Sequence, residues 1–173
     1  ALELREELGQ LYWKSGQKEK ALTAWKQITD PPNDNINQRR RLVELFRKHK
    51  LYREAIDIST TILDEIRASQ DAPSQVVVSD FFVAAELLIA TKQDREATVA
   101  VRDALNRVDA DSGDLFFSSL TKILNAELDT VVWTDFAAEG LANSTAPLDQ
   151  LTAANIFCKL GKQEAGLALL SRI

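Results

Sequence analysis

The chain has 173 residues, a net charge of −5, 45% apolar and 27% charged residues, a balance that excludes wholesale disorder and argues against a nucleic-acid binder held by phosphate neutralisation. Six glycines and four prolines are too few breakers for a turn-rich β-sandwich and leave room for long helices. One cysteine and one histidine make no internal disulfide and no zinc site on their own, so no cofactor or metal is expected.

Apolar residues then recur at three- and four-residue steps, the spacing of helices. Leu4, Leu8, Leu11 and Tyr12 share one face of a first helix that ends at Ser15-Gly16-Gln17. Ala21, Ala24, Trp25 and Ile28 share a face of the second, which stops at Pro31-Pro32 because proline cannot continue a helix. Leu42, Leu45 and Phe46, then Ala55, Ile58, Ile62 and Ile66, mark a third and fourth helix divided around Lys48 to Leu51. The loop Gln70-Asp71-Ala72-Pro73-Ser74 ends the fourth, with Ser74 as N-cap of the fifth. Val76, Val77 and Val78 could open a strand, but they run without a breaker into Phe81 to Leu88, too long for one, and the segment reads as helix. Asp94 is placed as the next cap, Asp109 to Asp114 as a loop, and Asp129-Thr130 as a joint. Pro147 opens a ninth helix and Gly161-Lys162 makes the last turn. The expectation is an all-α chain of about ten helices in five antiparallel hairpins, at about 1–34, 35–72, 74–110, 112–144 and 146–173.

The hairpins repeat. Ala21 and Ala55 are 34 residues apart, and Leu8-Gly9-x-x-Tyr12, Gly16, Ala21, Trp25 and the following prolines are matched by Leu42, Val43, Phe46, Ala55, Ser59 and Ile62. Ala84, Ala85, Leu88, Ala97, Val101 and Ala104 match after 42 residues. The last hairpin carries Ala154, Phe157, Gly161, Ala165 and Leu169, while the fourth matches in helix pattern only. The first hairpin resembles the tetratricopeptide repeat, whose period is 34. Small residues fit where two helices approach closely, and large ones fill the space between hairpins. The resemblance implies a single domain over 1–173 shaped as a right-handed α-α superhelix, in which stacking makes one continuous core.

No catalytic motif stands out. His49, within Arg47-Lys48-His49-Lys50, reads as a surface or turn residue, and Cys158 as an inert thiol in an apolar helix. Asp109-Ala-Asp111-Ser-Gly113-Asp114 has Leu120 where a calcium loop needs its bidentate glutamate, so it reads as a turn capped by Ser112 or Asp114. The chain is therefore expected not to be an enzyme. The resemblance implies instead that the first helix of each hairpin lines a concave groove for a peptide. By register this places Glu6, Gln10 and Trp13, then Asn37, Arg40, Glu44, Arg47 and Lys48, then Phe82, Glu86 and Ile89 on the groove. Tyr12 and Trp13, like Phe81 and Phe82, are about 100° apart on a helix, so one aromatic of each pair is expected to face the groove or rim. Glu6 and Gln10 stand where a carboxylate clamp would need lysine and asparagine, so the clamp is not carried over.

Charge is uneven. Residues 1–55 hold twelve Lys and Arg against eight Asp and Glu, and residues 56–173 hold nine against eighteen. Arg39, Arg40, Arg41, Arg47, Lys48, Lys50 and Arg53 make a basic stretch that would attract acidic residues of a partner protein. The leading reading is a non-catalytic protein-interaction scaffold. The alternative is an accessory or assembly domain of a larger protein without its own groove. No nucleic-acid partner and no membrane insertion are expected, since no apolar run reaches the roughly 18–20 residues of a span. No signal peptide is visible, which leans the reading towards the cytoplasm. The chain opens at Ala1 and ends on a helix with Leu167, Leu169, Leu170 and Ile173 on more than one face. It is expected to be part of a longer protein or to self-associate through its last hairpin.

Overall fold

The computed structural model describes residues 2–32, 34–69 and 74–173. Of the loop expected at 70–74, residues 70–73 lie outside the described residues, and so does the end of the hairpin expected at 35–72. Every regular element among the described residues is helical, as the three- and four-residue spacing requires. The chain divides into two compact units, 1–65 and 66–173.

In the first unit, α1 (Leu2–Lys14) packs against α2 (Lys18–Lys26), which tightens into a 3-10 turn over Gln27–Thr29. α3 (Ile36–Lys48) packs on that turn, and α4 (Tyr52–Ala68) follows, with the division between the units falling inside it. Asn35 starts α3 by accepting the backbone N–H groups of Asn37 and Gln38, two of the four donors a helix start leaves unpaired. α1 and α2 come close because Gly9 has no side chain: a Cβ there would fall onto the Trp25 indole. Trp25 is fully buried, and its Nε1 donates to the Glu6 carbonyl at 3.2 Å. Leu4, Leu8 and Leu11 share a face as expected, but that face is exposed rather than core.

In the second unit, α5 (Gln75–Ala90) packs against both α6 (Asp94–Leu105) and α7 (Gly113–Leu124). α8 (Thr130–Asp135) continues as a π-helical stretch, Phe136–Leu141, and α9 (Pro147–Lys159) pairs with α10 (Gln163–Leu170). Ser74 caps α5 as expected, accepting from the Val77 N–H. Asp94 does not cap α6. It is buried at the first helical position, where its Oδ1 accepts from the Asp129 N–H at 2.9 Å and Trp133 Nε1 at 2.8 Å, tying α6 to α8. The Asp109–Asp114 segment is a turn closed on itself. The Asp109 carboxylate accepts from Ser112 Oγ at 2.6 Å and from two backbone N–H groups, and these bonds hold its pKa below the usual carboxylate range. Ser112 is the capping residue by position, but its hydroxyl is spent on Asp109. The π-helical stretch was not foreseen. Its Gly140 carbonyl accepts from the Arg102 guanidinium, which also lies over the Phe136 ring and pairs with Asp149 at 3.1 Å.

Four turns share one geometry. Gly16, Lys50, Lys92 and Gly161 all have positive φ, between 58° and 78°. At each, the next residue's N–H reaches back five residues to a carbonyl: Gln17 to Tyr12, Leu51 to Phe46, Gln93 to Leu88 and Lys162 to Phe157. This is the Schellman end of a helix. Five residues after each positive-φ position sits a buried small residue, Ala21, Ala55, Ala97 or Gly166. In the last hairpin that place belongs to Gly166 and not to Ala165, which is exposed. A Cβ at Gly166 would collide with Cys158 Sγ, so the closest approach of α9 and α10 fixes the register.

Candidate functional site

The groove positions assigned to the first unit sit on α1 and α3. Glu6 pairs with Arg41 at 2.6 Å and Gln10 Nε2 lies 3.4 Å from His49 Nε2, so the two helices run side by side in the same direction. A cleft of about 460 Å³ runs along α1, lined by Glu3, Glu6, Glu7, Gln10, Leu11 and Lys14 and by Arg41 of α3. Gln10 was assigned from the sequence. Glu3, Glu7 and Lys14 were not, although with Gln10 they form a 3-7-10-14 stripe on one helix face.

The basic stretch is neutralised in part within the chain, at Arg39, Arg41 and Arg47. Arg39 bridges Asp34 and Glu65, both at 2.7 Å, which lowers the Asp34 pKa and raises that of Arg39. Arg41 is held by Glu6, Arg47 pairs with Glu44 at 2.7 Å, and Arg40 donates to Asn37 Oδ1 at 3.0 Å. Such surface pairs add little to stability, but they reduce the field a partner meets. Glu44 and Lys48 are exposed, while Arg40 and Arg47 are half-buried.

Trp13 is not a bare anchor. Its ring is half-buried, 5.6 Å from Trp25 and 4.9 Å from His49, with the Lys18 ammonium over its face. His49 lies in the turn after α3, one of the two places the sequence allows it, but it is half-buried rather than on the surface and stacks on Trp25 at 4.7 Å. Burial, with Lys48 beside it, lowers the His49 pKa. A neutral Nε2 accepts the Gln10 amide. Nothing in the sequence marks this cluster, since the repeat register puts His49 level with Ser15.

The second-unit positions stand differently. Phe82 and Ile89 are buried, and neither presents itself to a partner. Phe82 packs edge-on against Phe116, 5.3 Å away. The expectation that one of Phe81 and Phe82 faces outward fails because α5 is covered from two sides, by α6 and α7, so neighbours 100° apart are both enclosed. Glu86 is half-buried and pairs with Lys122 at 2.7 Å. This unit has its own cleft of about 480 Å³, lined by Arg95, Thr98, Val131, Val132, Phe136 and Glu139 among others, on a wall that includes part of the π-helical stretch.

Among the described residues no group of three or more His, Cys, Asp or Glu side chains is placed to hold a metal ion, and no helix is long and apolar enough to cross a membrane. Compared with family models, curated proteins and solved structures, the chain matches none.

Proposed function

We propose that the chain is a non-catalytic scaffold of the tetratricopeptide type that binds a segment of another protein along α1 and α3. The right-handed superhelix of five hairpins belongs to the same proposal. The observation that carries the reading is the cleft of about 460 Å³ along the first helix, with Gln10 of α1 and Arg41 of α3 in its lining. The four repeated turns support it, since equal turns are what a stack of hairpins needs.

The charges on this face are ordered along the helices. Glu3 and Glu7 lie in the first turns of α1, whereas Lys14, Arg47 and Lys48 lie at the ends of α1 and α3. A segment with acidic residues towards the helix ends and an apolar side chain over Leu11 fits this order. The test is a fluorescence-polarisation screen of acidic-apolar peptides on the 173-residue chain. A binder should lose at least about tenfold in affinity with Lys14→Glu and Lys48→Glu combined, and should weaken as salt rises. Binding that ignores both changes rejects the groove.

A further inference from the structure

Nine large apolar side chains are exposed among the described residues, and six of them fall on two helices: Leu4, Leu8 and Leu11 on α1, and Leu167, Leu170 and Ile173 on and just after α10. The repeat explains both faces. One period after Leu8 and Leu11 stand Leu42 and Leu45, which are buried on α3, the helix that packs on the Gln27–Thr29 turn. Trp25 and Ile28, on α2 and its turn, are fully buried there, and Trp25 meets Phe46 of α3 at 6.2 Å. So the first unit contains one complete joint, in which the back of one hairpin covers the front of the next.

Aligning Gly161 with Gly16, both at φ 78°, and buried Gly166 with buried Ala21, puts Leu170 at the place of Trp25 and Ile173 at that of Ile28. The last hairpin therefore presents the apolar back of such a joint, 43% and 58% exposed at these two residues. The first hairpin presents the apolar front, 68%, 43% and 64% exposed at Leu4, Leu8 and Leu11. Charge matches as well. Residues 2–14 hold Glu3, Glu6 and Glu7 against Arg5 and Lys14, while residues 159–173 hold Lys159, Lys162 and Arg172 against Glu164.

We propose that α10 and the residues after it in one copy dock on the Leu4-Leu8-Leu11 face of α1 in a second copy, remaking between molecules the joint that Trp25 and Ile28 make with α3 inside one. Such an interface uses two different patches, so it is heterologous, and each copy keeps one patch for a further neighbour. Assembly therefore continues past the dimer. An interface in which a single patch meets its own counterpart would stop at two.

Sedimentation velocity of the 173-residue chain over a concentration series tests this. The wild type should grow with concentration into species larger than a dimer. Leu11→Glu removes the front patch and Leu170→Glu the back, since a carboxylate buried in an apolar joint is strongly disfavoured; each variant alone should be monomeric. An equimolar mixture should form one heterodimer and nothing larger, because one variant still offers a back and the other a front. Leu4→Glu and Ile173→Glu repeat the pair at the most exposed positions, with circular dichroism as the check on folding. A wild type that stays monomeric, a single variant that still dimerises, or a mixture that fails to pair each overturns the proposal. Leu11 also lines the cleft, so Leu4→Glu, which lies outside it, separates the two readings: a chain that assembles in this way but binds no peptide refutes the groove alone.

Discussion

Gly9 shows how much one missing methyl group decides. Elsewhere in an exposed helix, alanine in place of glycine gains about 1 kcal/mol. At Gly9 the new Cβ would meet the Trp25 ring, which is fully buried and cannot swing away. Gly9→Ala is expected to destabilise by roughly 1–3 kcal/mol, read as a lower denaturation midpoint; a stabilised variant would show that the helices separate freely. Asp94 is the polar counterpart. Asp94→Ala leaves the Trp133 indole N–H and the Asp129 N–H without their acceptor in a buried site, at an expected cost of about 1–3 kcal/mol. Asp94→Asn keeps one acceptor oxygen and should lose clearly less in the same melt.

The helices themselves were legible from residue spacing, because a face of apolar residues at three- and four-residue steps is the physical requirement for burying a helix. The turns were legible only in part. Gly16 and Gly161 announce a left-handed residue, whereas Lys50 and Lys92 occupy the same conformation without announcing it. A lysine there carries a backbone penalty that glycine lacks. Lys50→Gly is expected to raise stability by about 0.5–1 kcal/mol after glycine's extra unfolded-state entropy is subtracted, seen as a higher melting temperature. An unchanged or lower melting temperature would show that the Lys50 side chain contributes something the geometry does not reveal. The missing register cue also explains the one-residue shift at Ala165, since both Ala165 and Gly166 are small and only helix packing tells them apart. Phe82 and Ile89 were misplaced for a related reason: α5 has neighbours on two sides, and a single-helix pattern does not count neighbours.

For the molecule as a whole, the two units differ in how they meet acid. His49 is packed between Trp13 and Trp25 in the first unit, with Gln10, Lys48 and Lys50 around it and its pKa lowered by burial. A group held neutral by the fold stabilises fully above its unfolded pKa of about 6.5 and loses that contribution as pH falls through the lower folded value. Amide protection factors, which have the intrinsic pH dependence divided out, should therefore fall between pH 7 and 5 within residues 2–65 more than within residues 74–173. His49→Phe should remove the excess; if the variant retains it, acid acts on the first unit through some other group.

The same packing has an optical consequence. Trp13 and Trp25 lie in the first unit and Trp133 in the second, so each unit carries its own indole emission. An imidazolium quenches a stacked indole by accepting charge from its excited state, which a neutral ring does far less. Protonation of His49 should dim Trp13 and Trp25 while Trp133, whose Nε1 is bonded to Asp94, stays bright. In Trp13→Phe/Trp25→Phe protein the remaining light reports on the second unit alone, so the difference between its titration and that of the wild type is the first unit's own.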